Sequence, residues 1–298
     1  MLRNGLYYVA GEAAGSACEP LARKYRASVI LGSLREDVIA LPVAGFTEYP
    51  SFSHFGGCGL PGGFLPLLWP GPRSSVSRLY RRALGHAGRG RLAAAFVALG
   101  RAAHVLTDVC IPSHVHRAAH ERDPFEWWIE GNLPELSRLE PQVAPPARAV
   151  ELVQNLATRS AAFAPDRTNT PWGRALRRRG RLRGVPAAEA RRQALELVPH
   201  AVSHVRALLE QACREVPWPG PARRVLLTSP AMSEEDEVLA ETLEALDLPE
   251  RMLRPWFDHN RAFCQKHGGR RVYGGLLELL DRCDQALERR QATQKGEK

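Results

Sequence analysis

The chain has 298 residues, of which 44% are hydrophobic, and its formal net charge is +9 at neutral pH. That is enough apolar material for one sizeable core, or for a core with a small appendage. No apolar run approaches the ~20 residues that a membrane-spanning helix needs, so we expect a soluble protein without a transmembrane segment. The basic balance favours anionic partners, and peripheral contact with anionic surfaces is expected.

The first twenty residues contain Arg3 and several apolar positions. Gly11 and Glu12 interrupt the stretch that would serve as the apolar region of a secretory signal. We therefore expect no cleaved signal and favour a cytoplasmic location. The six cysteines are scattered and none forms a CxxC pair, which predicts reduced, mostly buried thiols.

Apolar residues recur at helical spacing along most of the chain and predict an all-α fold. The predicted helices cover 7–26, 74–87, 91–109, 147–163, 187–215, 233–247 and 272–291. Loops rich in glycine and proline are predicted at 41–72, 164–175 and 216–222. The last of these divides a main helical domain, 1–216, from a C-terminal helical extension, 217–298, which could equally pack as part of the same domain.

The helix predicted at 91–109 has an apolar stripe that predicts a position in the core. His104 and Asp108 are four residues apart, so their side chains lie one above the other on one face. A buried histidine and aspartate either satisfy each other by a hydrogen bond or belong to a metal site. Pro112 ends the helix, and His114 follows six residues after Asp108.

Two more histidines, His116 and His120, follow before the next predicted helix. Asp123, Pro124 and Glu126 then form the pattern of a capping box with proline at the first helical position. The cap explains the DPFE residues without a metal, but it does not explain the histidines. Imidazole nitrogen and carboxylate oxygen are the ligands that zinc accepts.

Four segments, in this order, resemble the zinc-dependent phospholipase C family. They are LGSLRED (31–37), SHF (53–55), GRAAHVLTDVCIPSH (100–114) and HERDPFE (120–126). That family shares its fold with the fungal zinc nucleases that cut single-stranded nucleic acid. The resemblance spans residues 5–135, under half of the chain, and implies a multi-helix bundle of that type.

The resemblance implies ligands for two zinc ions. Those of the first would be Asp37, His54, His104 and Asp108. Those of the second would be His114, His120 and Glu126. Asp37 would also act as general base, and Phe55, next to a ligand, would line the substrate pocket.

The chain departs from the family pattern in two places. The family has a histidine in its first helix, and this chain has none before His54. Glu12 lies in the corresponding helix and is a candidate substitute, so a third zinc is an open expectation. The spacing from His120 to Glu126 is also longer than usual for the family, which makes His116 or Asp123 a candidate for one of the expected ligands.

The resemblance therefore implies a zinc-dependent phosphodiester hydrolase of the phospholipase C type that uses a metal-bridged hydroxide. One alternative is a single-strand nuclease of the same fold, which the basic charge favours. Another is a catalytically degenerate homologue with a metal-binding or structural role. The expected substrate is a phospholipid or a single-stranded nucleic acid. Proteins that resemble this chain are often exported.

Overall fold

The structure is a computed structural model that describes residues 3–36, 38–41, 45–48, 71–118, 123–140, 147–168, 171–216 and 233–296. It confirms an all-α fold. The helices are α1 (Arg3–Gly15), α2 (Pro20–Lys24), α3 (Arg26–Arg35), α4 (Pro72–Ala87), α5 (Leu92–Val109), α6 (Pro112–Val115), α7 (Pro124–Gly131), α8 (Leu133–Leu136), α9 (Ala149–Ser160), α10 (Pro171–Arg178), α11 (Ala187–Glu215), α12 (Glu234–Ala245), α13 (Glu250–Lys266) and α14 (Gly269–Gly296).

One short hairpin accompanies the helices. Strands β1 (Val38–Leu41) and β2 (Gly45–Glu48) pair antiparallel, with Val38 opposite Glu48 and Leu41 opposite Gly45. The sequence predicted a loop over 41–72, and β2 falls within it. A four-residue strand is too short to show a clear alternation of apolar and polar residues, so its sequence does not distinguish it from a loop.

Helix α5 lies at the centre of the fold and packs against α3 and α4 on two sides. By length and composition it could cross a membrane, but 83% of it is buried inside the protein. A helix that is apolar nearly all round is typical of the core of a large globular protein. It is the only helix of that kind in the described part of the chain.

Two glycines allow α3 and α5 to approach each other closely. A Cβ atom on Gly32 would lie 2.3 Å from the carbonyl oxygen of Val97, and one on Gly100 would lie 2.2 Å from that of Val29. Real Cβ atoms do not approach carbonyl oxygens so closely, so any larger residue would force the helices apart. This contact brings the end of α3 against the second half of α5.

The C-terminal helices pack on the same core as the N-terminal ones. Leu239 and Trp256 belong to one cluster of buried apolar side chains that also contains Leu99. The hydroxyls of Ser28 on α3 and Thr242 on α12 lie 2.7 Å apart and share a hydrogen bond. The loop predicted at 216–222, where the domain boundary was drawn, lies mostly outside the described residues.

Helix α13 was not predicted from the sequence. Pro255 lies inside it, and proline normally interrupts a helix because it lacks an N–H donor. It is the sixth residue of α13, beyond the first four N–H groups that have no partner within a helix, so one hydrogen bond of the helix is missing there. The buried side chains of Trp256 and Phe257, which follow Pro255 directly, stabilise the helix from the core side.

Candidate metal centre

The centre of the candidate site is a histidine–aspartate pair on α5. The Nε2 atom of His104 lies 3.2 Å from Oδ2 of Asp108, and the side chains are 0% and 1% exposed. The 3.6-residue repeat of the helix brings positions four apart together, as the sequence predicted. A polar pair this deep in an apolar helix requires compensating interactions.

A tight turn returns the chain to the same aspartate. Helix α5 ends at Val109, and the Ile111 amide donates to the Asp108 carbonyl oxygen at 3.0 Å. Pro112 then begins the short helix α6, a position that suits its fixed φ. The Nδ1 atom of His114, on α6, lies 3.8 Å from Oδ2 of Asp108. Two imidazoles from different elements thus meet at one carboxylate oxygen.

A backbone carbonyl orients the His104 ring. Its Nδ1 atom lies 2.8 Å from the carbonyl oxygen of Ser33 on α3. A carbonyl oxygen only accepts hydrogen bonds, so Nδ1 carries a proton and Nε2 faces the Asp108 carboxylate. That contact is attractive if Nε2 is also protonated or if a cation lies between the two atoms. Metal-ligating histidines are commonly held by such a bond from the second ring nitrogen.

The surroundings of Asp108 favour the ionised form of its carboxyl group. Burial by itself raises the pKa of this carboxyl, but nearby positive charge, including that of His104 and His114, holds the pKa well below its usual range. Asp108 is therefore an anion at neutral pH. A buried anion surrounded by imidazoles has the donor chemistry of a zinc site.

Asp123 caps α7, as the sequence predicted. One of its oxygens accepts a hydrogen bond from the amide of Phe125 at 2.8 Å. The other accepts one from the hydroxyl of Ser113 on α6. Asp123 therefore joins the element that carries His114 to the element that carries Glu126.

Glu126, on α7, is buried. Burial raises the pKa of the Cys110 thiol, and the charges of Asp108 and Glu126 raise it further. Both carboxylates thus act on one sulfur atom at the end of α5.

The two other candidates in the described residues have contacts of their own. The Nε2 atom of His116 lies 3.0 Å from the carbonyl oxygen of Phe163. The pKa of Tyr8 is raised to about 12, first by burial and then by the charge of Glu12, so Glu12 lies near that phenol. The Tyr8 hydroxyl donates to the carbonyl of Leu136 at 3.0 Å.

Four of the predicted site residues lie outside the described residues: Asp37, His54, Phe55 and His120. Among the residues that are described, no three His, Cys, Asp or Glu side chains form a group that would hold a metal ion by itself. The described donors are of the types that zinc accepts, and the proposed ligand set is complete only with residues outside the described ranges.

Sequence reasoning did not identify Ser33 or the two glycines that bring it to His104. Ser33 contributes a backbone carbonyl, which no side-chain pattern reveals. Gly32 and Gly100 did leave a signal, because glycine inside an apolar helix often marks a close approach of two backbones.

The chain matches no family model, and no curated protein matches it.

Proposed function

We propose that this protein is a zinc-dependent phosphodiester hydrolase similar to the phospholipase C family. The proposal is supported above all by the meeting of His104 and His114 at one oxygen of the buried Asp108. The predicted ligands from 31–54 and from residue 120 would complete the set.

The described residues would divide between two metal ions. His104 and Asp108 would hold one together with Asp37 and His54, and His114 and Glu126 would hold the other together with His120. When bound, zinc supplies a Lewis acid that stabilises the charge of a phosphodiester transition state and acidifies a water molecule. Asp37 is proposed as the general base.

The protein's own residues prepare this site. The Ser33 carbonyl keeps a proton on Nδ1 of His104, so Nε2 is the nitrogen offered to a ligand. Asp108 is already ionised, so binding a cation requires no proton loss from it. Burial of both residues excludes water and strengthens their electrostatic contacts.

The substrate proposed first is a phospholipid, as the resemblance implies. A single-stranded nucleic acid is the second candidate, and the net charge of +9 favours it because a phosphate polymer is attracted to a basic surface. Both substrates contain the same phosphodiester group, so one site serves either proposal.

Metal counting and two activity assays test the proposal. Purified protein should contain at least two zinc ions per chain, which a two-metal mechanism requires. Release of phosphocholine from lipid and release of acid-soluble nucleotides from single-stranded DNA then separate the two substrates. Less zinc than this, or activity on neither substrate, would overturn the proposal and favour a degenerate homologue.

A further inference from the structure

The segment 166–185, of which 166–168 and 171–185 are described and which we call the arginine loop, carries a dense positive charge that the candidate metal centre does not use. It contains seven arginines and one acidic residue, Asp166. The arginines are Arg167, Arg174, Arg177, Arg178, Arg179, Arg181 and Arg183. A run of charges is by itself a weak functional signal and is usually a solvated face, so the loop's structure has to carry the argument.

The outer half of the arginine loop is an ordered helix with a defined end. Gly180, just beyond α10, has a φ of +68°, a left-handed conformation that favours glycine. The amide of Arg181 donates to the carbonyl of Leu176 at 2.9 Å, and that of Gly180 donates to Arg177 at 2.9 Å. These two bonds form a Schellman-type end, which turns the chain back towards its start.

The base of the arginine loop is closed by its one acidic residue. Asp166 is 3% exposed. One of its oxygens accepts hydrogen bonds from the amide and hydroxyl of Thr168, and the other accepts one from the amide of Val185 at 2.8 Å. A Cβ on Gly184 would lie 2.9 Å from that second oxygen, so the closure is tight. The two ends of the loop are therefore held together.

The arginines on this closed loop are presented to solvent. Those at 177–179, 181 and 183 are exposed, and they form no ion pair with a described residue. Other exposed arginines do pair. Arg148 lies 2.7 Å from Glu151, and Arg192 lies 2.7 Å from Glu189. The loop thus offers several unneutralised guanidinium groups on a preformed support.

The segment just before the arginine loop contacts the chain that follows His114. His116, two residues after His114, lies 3.0 Å from the carbonyl of Phe163. Phe163 precedes Asp166 by three residues. The side chain of Gln193 donates to the Ala164 carbonyl at 3.2 Å, which fixes this start against α11.

We infer that the arginine loop binds the phosphate backbone of a single nucleic-acid strand. Guanidinium groups match the geometry of phosphate oxygens, and a preformed support lowers the entropy lost on binding. An anionic membrane surface is the other partner that suits a basic helix, so vesicles of anionic phospholipid are included in the test.

The inference goes beyond the proposed hydrolase, because the arginine loop holds a strand without using the metal ligands. If the second substrate candidate of the proposed function is correct, a strand bound here is the substrate of the metal centre. A variant that loses strand binding but keeps its zinc content shows a defect of the arginine loop, not of the metal centre. A variant that loses zinc but keeps strand binding shows a defect of the metal centre, not of the arginine loop.

The test compares two triple variants of the full chain. The first changes Arg177, Arg178 and Arg179 to glutamine. The control changes Arg73, Arg78 and Arg81 on α4 to glutamine, which removes the same charge from residues that are also exposed. The probe is a labelled single strand of about 16 nucleotides, the upper site size of common single-strand binders. Its fluorescence anisotropy is measured at several salt concentrations, and a denaturing gel confirms that it stays intact.

The first variant should lose about tenfold or more in affinity, and its plot of log affinity against log salt should be shallower by about 2, since each lost phosphate contact contributes roughly 0.7 for a single strand. The α4 control should change affinity less than about twofold. The inference is overturned if the wild-type protein does not bind the strand, or if both variants lose the same amount of affinity for it. Binding to vesicles of anionic phospholipid is measured in parallel. The inference is also overturned if the first variant loses affinity for these vesicles but binds the strand as tightly as the wild type.

Discussion

The Nδ1 atom of His104 donates a hydrogen bond to the carbonyl oxygen of Ser33 across 2.8 Å, and this contact decides which ring nitrogen faces Asp108. The two residues are 71 positions apart and lie on α5 and α3. Their contact depends on the close packing of these helices at Gly32 and Gly100. Several properties of the protein follow from this and similar long-range contacts.

Replacing Gly100 with alanine should disturb the candidate metal centre without removing any ligand. The new methyl group would need the space occupied by the Val29 carbonyl, so α3 and α5 must separate. We expect the free energy of unfolding to fall by about 1–3 kcal/mol from overpacking. Zinc affinity should fall about 10- to 100-fold, because the Ser33 carbonyl moves away from His104. Chemical denaturation and titration with a zinc chelator measure the two effects.

Gly85→Ala is the matched control for that substitution. A Cβ at this position on α4 would meet only the flexible side chain of Arg89, at 3.7 Å. Alanine is favoured over glycine in a helix, so stability should rise by about 0.5–1 kcal/mol while zinc affinity stays the same. An equal loss of zinc affinity in both variants would contradict the role given to the α3–α5 contact.

Asp108→Asn should abolish or greatly reduce zinc binding. The amide keeps the shape of the side chain but removes the negative charge at which His104 and His114 meet. We expect the zinc content, measured by mass spectrometry of the purified protein, to fall by at least one ion per chain. His259→Ala, which removes an exposed histidine of α13, serves as the control and should retain all zinc. Full zinc content and activity in Asp108→Asn would refute the ligand assignment.

Glu130 should make stability depend on pH. This buried carboxylate on α7 accepts hydrogen bonds from the amides of Asn4 and Gly5 at the start of α1. Burial raises its pKa above the ordinary value of 4.5 in spite of these bonds. The folded state therefore binds the proton more tightly than the unfolded state. The free energy of unfolding should fall as pH rises from about 4.5 through the folded pKa and then level off.

Glu130→Gln should remove that pH-dependent loss, because glutamine does not titrate. Urea denaturation at several pH values between about 4 and 8 compares the variant with the wild type. The difference in stability should move in favour of the variant as pH rises across this window. Glu278→Gln, at an exposed position of α14, should keep the wild-type pH dependence. Parallel curves for Glu130→Gln and wild type would show that Glu130 does not titrate in this way.

Asp166→Ala should weaken strand binding by the arginine loop even though it makes the protein more positive. If charge alone governed binding, loss of an acidic residue would strengthen it. The substitution removes the contacts to Thr168 and Val185 that close the loop, so the arginines lose their preformed arrangement. We expect a loss of about threefold or more by anisotropy. A thermal melt confirms that the rest of the protein stays folded, and unchanged or tighter binding would contradict the prediction.

Thiol labelling should distinguish Cys18 from the four buried cysteines of the described residues. Cys18 is exposed, and the others are Cys110, Cys213, Cys264 and Cys283. Burial is the main cause that raises the pKa of Cys213 and Cys283 to about 12 and that of Cys264 to about 11. Because the thiolate is the reactive form, iodoacetamide at about pH 8 should modify Cys18 and leave these four intact in the native protein. Peptide mapping measures this, and modification of a buried cysteine as fast as Cys18 would contradict it.

The sequence by itself determined the features that depend on neighbours along the chain. Helical periodicity predicted α4, α5 and α11, and the four-residue spacing predicted that His104 and Asp108 share a face, because the helical repeat brings such positions together. The cap at Asp123 was predicted for the same local reason. Only the tertiary structure decided that the Ser33 carbonyl reaches His104, that Glu130 caps α1, and that Asp166 closes the arginine loop on Val185. Each of these contacts joins residues that are far apart along the chain. They meet because of how the chain packs in three dimensions, and no local sequence pattern encodes that packing.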